Sequence, residues 1–79
     1  MTEPPEIDYR GELPPYLQVA AWLRGRIESG ELRSGQVLPS EKELMDSTGL
    51  ARITIRKTIR ALREEGLVRT IPQRGSYVA

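Results

Sequence analysis

The sequence predicts a mainly α domain with a small β-hairpin: three helices, the last two in a helix-turn-helix arrangement, followed by two short strands. Three observations carry this. Apolar residues recur at helical spacing along 15–29 and again along 52–65. Ser40 and Glu43 form an S-x-x-E capping box that starts a helix between those two. The chain then turns β-rich at 67–71 and 76–78, on either side of Pro72-Gln73-Arg74-Gly75.

Residues 1–13, with two prolines, four acids and no usable periodicity, are expected to form a mobile acidic arm, leaving 14–79 as the folded unit. Pro14-Pro15 opens the first helix, because the first turn does not need the N–H that proline lacks. Tyr16, Val19, Ala20, Leu23 and Ile27 fall on one side of it at about 100° per residue and should be core. Trp22 lies at the edge of that stripe, placed either for peripheral packing or for a contact surface. Ser29-Gly30 is the stop. Ser34-Gly35 signals a turn, Gln36-Val37-Leu38 fits one short strand, and Pro39 ends it. The second helix is expected from Glu41 to about Thr48, burying Leu44 and Met45, with Gly49 breaking it after two turns.

The run "ARITIRKTIRALREEG", Ala51 to Gly66, is ambiguous at first sight. Arg52 to Arg56 alternate like a strand, with β-branched residues at period two. Ile55, Ile59 and Leu62 instead recur at i, i+4, i+7, and a strand that long would push half of them into water. Good helix formers follow, and Gly66 suits the cap. The expectation is a helix from Arg52 to Glu65. Its first turn begins without a capping side chain and contains Ile53 and Thr54, so it should be loose until a ligand is present.

Composition excludes several function classes. Cysteine and histidine are both absent, which removes disulfides, thiolate zinc sites and the commonest general base. No catalytic group, metal site or cofactor site is expected, and the chain should not be an enzyme: Ser40 and Thr54 have no obvious base beside them. No stretch approaches the roughly 18 apolar residues of a membrane span, and the N-terminus lacks the build of a signal peptide. A cytoplasmic location with no membrane partner is expected. The net charge of +1 conceals an asymmetry. Residues 1–50 hold five Lys/Arg against nine Asp/Glu, while 51–79 hold seven against two. A basic face for a polyanion on a more acidic body is the reading this supports.

That face can be placed. With Ile55, Ile59 and Leu62 inward, Arg52, Arg56, Arg60 and Arg63 form a second stripe beside them, and Lys57 lies farther round the outside. Arginine's planar fork suits guanine O6/N7 and phosphate oxygens equally well. The first turn of the second helix of such a pair enters a DNA groove, so Arg52, Thr54 and Arg56 are best placed to reach base edges. Arg60 and Arg63 are farther along, suited to phosphate or to pairing with Glu64 and acids elsewhere. Two readings stand for Ile53: contact with a thymine methyl, or partial burial against helix two.

The run from Pro15 to Val78 resembles the winged helix-turn-helix domain of the GntR family of bacterial transcription regulators. The resemblance rests on Pro15-Tyr16, Ile27 with Ser29-Gly30, Leu32, Gly35, Leu38-Pro39-Ser40-Glu41-Lys42-Glu43-Leu44, Arg52, Thr54, Arg56, Leu62, Glu65-Gly66-Leu67-Val68 and Arg74-Gly75-Ser76-Tyr77-Val78. It implies a wing of two to three strands over 68–78, a DNA contact by Lys42 from the start of helix two, and contacts by Arg52, Thr54 and Arg56 from the recognition helix 52–65 in the major groove. The wing tip at Arg74-Gly75, with Gln73 beside it, is implied at the minor groove; Ile53 and Lys57 complete the candidate set. The family habit implies a palindromic double-stranded operator, a homodimer at least on DNA, and repression. Family members normally continue after the wing into an effector-binding or dimerising domain, and no small-molecule effector is expected within these residues. Three positions depart from the family pattern: Ala51 where Ser or Thr usually caps, Ile53 where a polar residue is common, and Gln73 where glycine is. The alternative is a non-catalytic protein-interaction module, or an antagonist, built on the same winged helix.

Overall fold

The computed structural model describes residues 5–79, so the first four residues of the expected arm lie outside the described residues. In chain order the elements are α1 (Pro15–Glu28), α2 (Glu41–Thr48), α3 (Arg52–Glu64), β1 (Val68–Ile71) and β2 (Gly75–Val78).

Pro14 in extended conformation leads into α1, with Pro15 at its first position. Val19, Ala20 and Leu23 of the expected stripe are buried, while Tyr16 and Ile27 at its ends are half-buried. The capping box of α2 is complete: the Glu43 N–H donates to Ser40 Oγ and the Ser40 N–H donates to Glu43 Oε1, both at 3.0 Å. Gly49 ends α2 at φ 74°, a left-handed conformation that costs glycine nothing. α3 starts at Ala51 with no side-chain cap bond and stops one residue earlier than expected, with Glu65 as its C-cap. It buries Ile55, Ile59 and Leu62 as anticipated, and also Thr58. The Thr58 hydroxyl sits 2.9 Å from the Tyr16 carbonyl oxygen and 3.2 Å from that of Thr54, so a polar group pins α3 to the start of α1 at no unsatisfied cost.

β1 and β2 pair antiparallel with Val68 opposite Val78 and Ile71 opposite Gly75. The strand boundaries shift slightly from expectation, since Leu67 stays outside β1 and Gly75 enters β2. The expected Gln36–Leu38 strand is reduced to a bridge of Val37 with Tyr77. It still adds a third row to the hairpin, because the Leu38 N–H donates to the Ser76 carbonyl and the Val78 N–H to the Gln36 carbonyl, each at 2.8 Å. Leu44 of α2 and, from outside the helices, Leu32, Leu38, Val68 and Val78 complete one core with the buried residues of α1 and α3. The hairpin is thus fixed to the helices by its own inward ends and by the segment before α2.

Residues 5–13 form no helix or strand, yet they are strapped to α1. Gln18 accepts from the Asp8 N–H at 2.9 Å and donates to the carbonyls of Asp8 at 2.8 Å and Leu13 at 2.7 Å. Ile7 packs against the core. A glutamine amide has a donor and an acceptor end, and here both are used to hold one chain segment.

Candidate nucleic-acid interface

The turn Gly49-Leu50-Ala51 leads into α3, whose first two turns pack Ile55 and Ile59 on the core and leave their other side open. Thr48 closes that turn: its hydroxyl donates to the Leu44 carbonyl at 2.6 Å and accepts from the Leu50 N–H at 3.2 Å. Leu50 packs on the core behind it. The same helical phase that buries Ile55 leaves Arg52, Ile53 and Arg56 exposed, with Thr54 half-buried between them. Ile53 is 70% exposed, which removes the reading in which it packs on helix two.

The basic stripe is bordered by a different element on each side. Toward α2, Glu41 receives both arginines: Arg52 Nη1 donates to Oε1 at 3.0 Å and Arg56 Nε donates to Oε2 at 3.1 Å. Toward α1, the Lys57 ammonium stands 5.5 Å from the Tyr16 ring centroid, a cation–π contact. Toward the wing, Arg63 Nη1 donates to Thr70 Oγ1 at 3.0 Å, and Thr70 shares a hydrogen bond with Ser76 across the hairpin at 3.0 Å. Arg63 therefore ties α3 to the wing rather than pairing with Glu64. Between wing and helix runs a groove of about 550 Å³, lined by Ser40, Glu41, Arg56, Arg60, Arg63 and Thr70 among others.

Lys42 projects from α2 with its side chain 80% exposed and pairs only with Asp46, one turn on, at 3.1 Å. That contact is a solvated surface pair and restrains the ammonium little. At the other end, Pro72 and Gln73 turn the wing, and the Arg74 N–H donates to the Ile71 carbonyl at 3.0 Å. Proline followed by a positive-φ residue is the pattern of a type II turn, whose second central place favours glycine. Gln73 fills it at φ 66°, alone among the described non-glycine residues. A side chain in that conformation costs roughly 1–2 kcal/mol. The strain puts a carboxamide at the wing tip beside the exposed Arg74. Gly75 follows at φ 112°.

The nine candidate residues thus occupy three places: Arg52, Ile53, Thr54, Arg56 and Lys57 on α3, Lys42 at the start of α2, and Gln73, Arg74 and Gly75 at the wing tip. Sequence reasoning missed Glu41, Thr58 and the Arg63–Thr70–Ser76 link. It also missed the pair at the far end of α3, where Arg24 Nε and Nη2 donate to Glu65 Oε1 and Oε2 at 2.8 and 2.6 Å. That fork holds the Glu65 carboxyl below its usual range and raises Arg24. Among the described residues no cluster of acids could hold a metal ion, and no helix is long and apolar enough to cross a membrane.

Known proteins are similar to this chain in sequence and in fold. The family model for bacterial regulatory proteins of the gntR family matches residues 15–78. The HTH-type transcriptional regulator GgaR of Escherichia coli K12 is 44% identical over 55 residues, which is 70% of this chain and 22% of GgaR. The mannosyl-D-glycerate transport/metabolism system repressor MngR of the same organism is 38% identical over 68 residues, 86% of this chain and 28% of MngR. The chain therefore spans between a fifth and a third of the length of these curated relatives. Among solved structures, the DNA-binding domain of AraR in complex with operator ORX1 superposes with a TM-score of 0.85 at 35% identity, covering 94% of this chain and 95% of that one. The capping box, the arginine-bearing third helix and the three-row wing stand within the matched region, and the chain belongs to the GntR family, with the winged helix-turn-helix fold.

Proposed function

We propose that the unit 14–79 binds double-stranded DNA in a sequence-specific way and regulates transcription, repressing by occupying an operator. One observation carries this reading: the fold that leaves Arg52, Ile53 and Arg56 exposed on α3 is, at 35% identity, that of an AraR domain in complex with an operator. In this reading the first two turns of α3 enter the major groove. Arg52 and Arg56 take guanine edges, Thr54 a base or phosphate, and Ile53 a thymine methyl. Lys42 and Lys57 meet phosphates, and Gln73, Arg74 and Gly75 meet the adjacent minor groove. The wing–helix groove suits the sugar-phosphate strand that must pass between those two contacts.

The activity is binding without catalysis, exerted on the bacterial chromosome and hence in the cytoplasm. Pairing of two copies on a palindrome follows from the two-fold logic of operators. No small-molecule site is proposed within these residues. Selection of bound sequences from a random duplex pool tests the reading. The expected outcome is an enriched palindrome with guanines in each half-site. Its affinity should fall by at least about tenfold between 50 and 200 mM salt, as counterion release by several basic residues requires. No enrichment, or binding indifferent to salt, would reject it.

A further inference from the structure

Glu41 is the first residue of α2, directly after the Ser40 cap, and its carboxylate reaches across to α3. Each of its oxygens accepts from a different arginine of α3, Arg52 at 3.0 Å and Arg56 at 3.1 Å. The next acid along, Glu43, is committed to the capping box. The two arginine side chains stay 53% and 62% exposed, so the carboxylate restrains them without burying them.

The atoms used matter. Arg52 donates through Nη1, which leaves the Nε/Nη2 edge of its fork free. Arg56 donates through Nε, which leaves the Nη1/Nη2 edge free. Each arginine therefore keeps one complete two-donor edge of the kind that matches guanine O6/N7. The charge matters as well. Two guanidinium groups that were unopposed would be attracted to any phosphate, and that attraction is what drives binding to DNA of arbitrary sequence. A carboxylate held against both offsets part of that attraction and repels phosphate itself, while a guanine edge can still be reached. Selectivity is a difference of affinities, and it grows when the wrong partner is penalised.

We propose that Glu41 is a specificity-determining positioning residue: it presents one free edge of Arg52 and of Arg56 to the bases and weakens binding to DNA that lacks the matching guanines. The proposal rests on the reading of α3 as the base-reading helix. The test compares wild type with Glu41→Gln on two duplexes: the sequence wild type enriches from a random pool, and a scramble of equal length and composition. Glu41→Gln should bind the scramble about three- to tenfold more tightly, with a salt dependence steeper by about one phosphate contact. The ratio of selected to scrambled affinity should drop about tenfold or more. A merely structural role would weaken both duplexes together, and that result, or an unchanged ratio, overturns the proposal. If wild type enriches nothing, the base-reading assignment itself fails, which is a different result from a selective wild type with an equally selective variant. Should Glu41→Gln not fold, Glu41→Asp keeps the charge but is one methylene too short to hold both arginines, and it should lower the ratio in the same direction. A selective Glu41→Asp with wild-type ratio also overturns the proposal.

Discussion

The two helices of the motif begin in opposite ways. α2 starts on a reciprocal capping box, with Glu41 and Glu43 in its first turn, where negative charge complements the helix dipole. α3 starts on Ala51 with no cap bond, and its first residue is a cation, Arg52, placed against the same dipole. Local energetics therefore favour the start of α2 and disfavour the start of α3. The difference separates the two tasks. α2 is the capped ledge, and in the proposed reading the first turn of α3 carries the residues that meet DNA. The ledge also offsets the cations at the α3 start, since the Glu41 carboxylate lies against the guanidinium groups of Arg52 and Arg56.

The largest way to break this contrast is at the reading end. Arg52→Ala and Arg56→Ala should each cost about 1–3 kcal/mol of binding to the selected duplex, because a bidentate base contact is lost. Unfolding midpoints should move far less, since both side chains are exposed. Titration by fluorescence anisotropy beside thermal unfolding checks the split; equal loss of affinity and stability would make these residues structural. At the ledge the effect is smaller and reversed in kind. Ser40→Ala should lower stability by roughly 0.5–2 kcal/mol, read as a shift of the urea midpoint. That cap also sets a pH dependence. The Ser40 backbone N–H, assisted by its side chain, holds the Glu43 carboxyl below its ordinary value of 4.5. A carboxyl depressed on folding stabilises the protein above its unfolded pKa, and the contribution is lost as pH falls through the folded value. Stability should therefore fall below pH 4.5, and less steeply in Glu43→Gln. The smallest effect is a gain: Ala51→Ser supplies the absent cap and should add on the order of 0.5–1 kcal/mol. Amide exchange at Ile53–Ile55 should then slow relative to wild type. Exchange already slow in wild type would mean that the uncapped first turn is not loose.

How much of this was legible along the chain depended on distance in sequence. The box at Ser40–Glu43, the stops at Gly49 and Gly66 and the buried run Ile55, Ile59, Leu62 follow from rules acting within about one to two helical turns. Each stands in the structure where it was expected, although α3 itself ends one residue early, at Glu64. Ile53 was the instructive doubtful case, since an apolar residue off the core stripe can fold under a neighbour or remain exposed, and only the placement of α2 decides. The segment 5–13 is part of the stretch 1–13 that reads as an arm because it lacks periodicity. Its attachment through Gln18 could not be seen, as one glutamine on a helix surface looks like any other. Gln73 was visible as a departure, but the left-handed backbone it tolerates belongs to the closed hairpin.

By itself the sequence determined the three helices, the hairpin, the inward stripe and, through the resemblance its motifs carry, the family. Caps, glycine stops and apolar periods suffice for that, because they are short-range and leave a one-dimensional trace. Only the tertiary structure decided which partner each charge would take: Glu41 for Arg52 and Arg56, Thr70 for Arg63, Glu65 for Arg24. Ion pairs form wherever opposite groups come within about 4 Å, and that separation is set by the packing of helices against one another, not by their spacing along the chain.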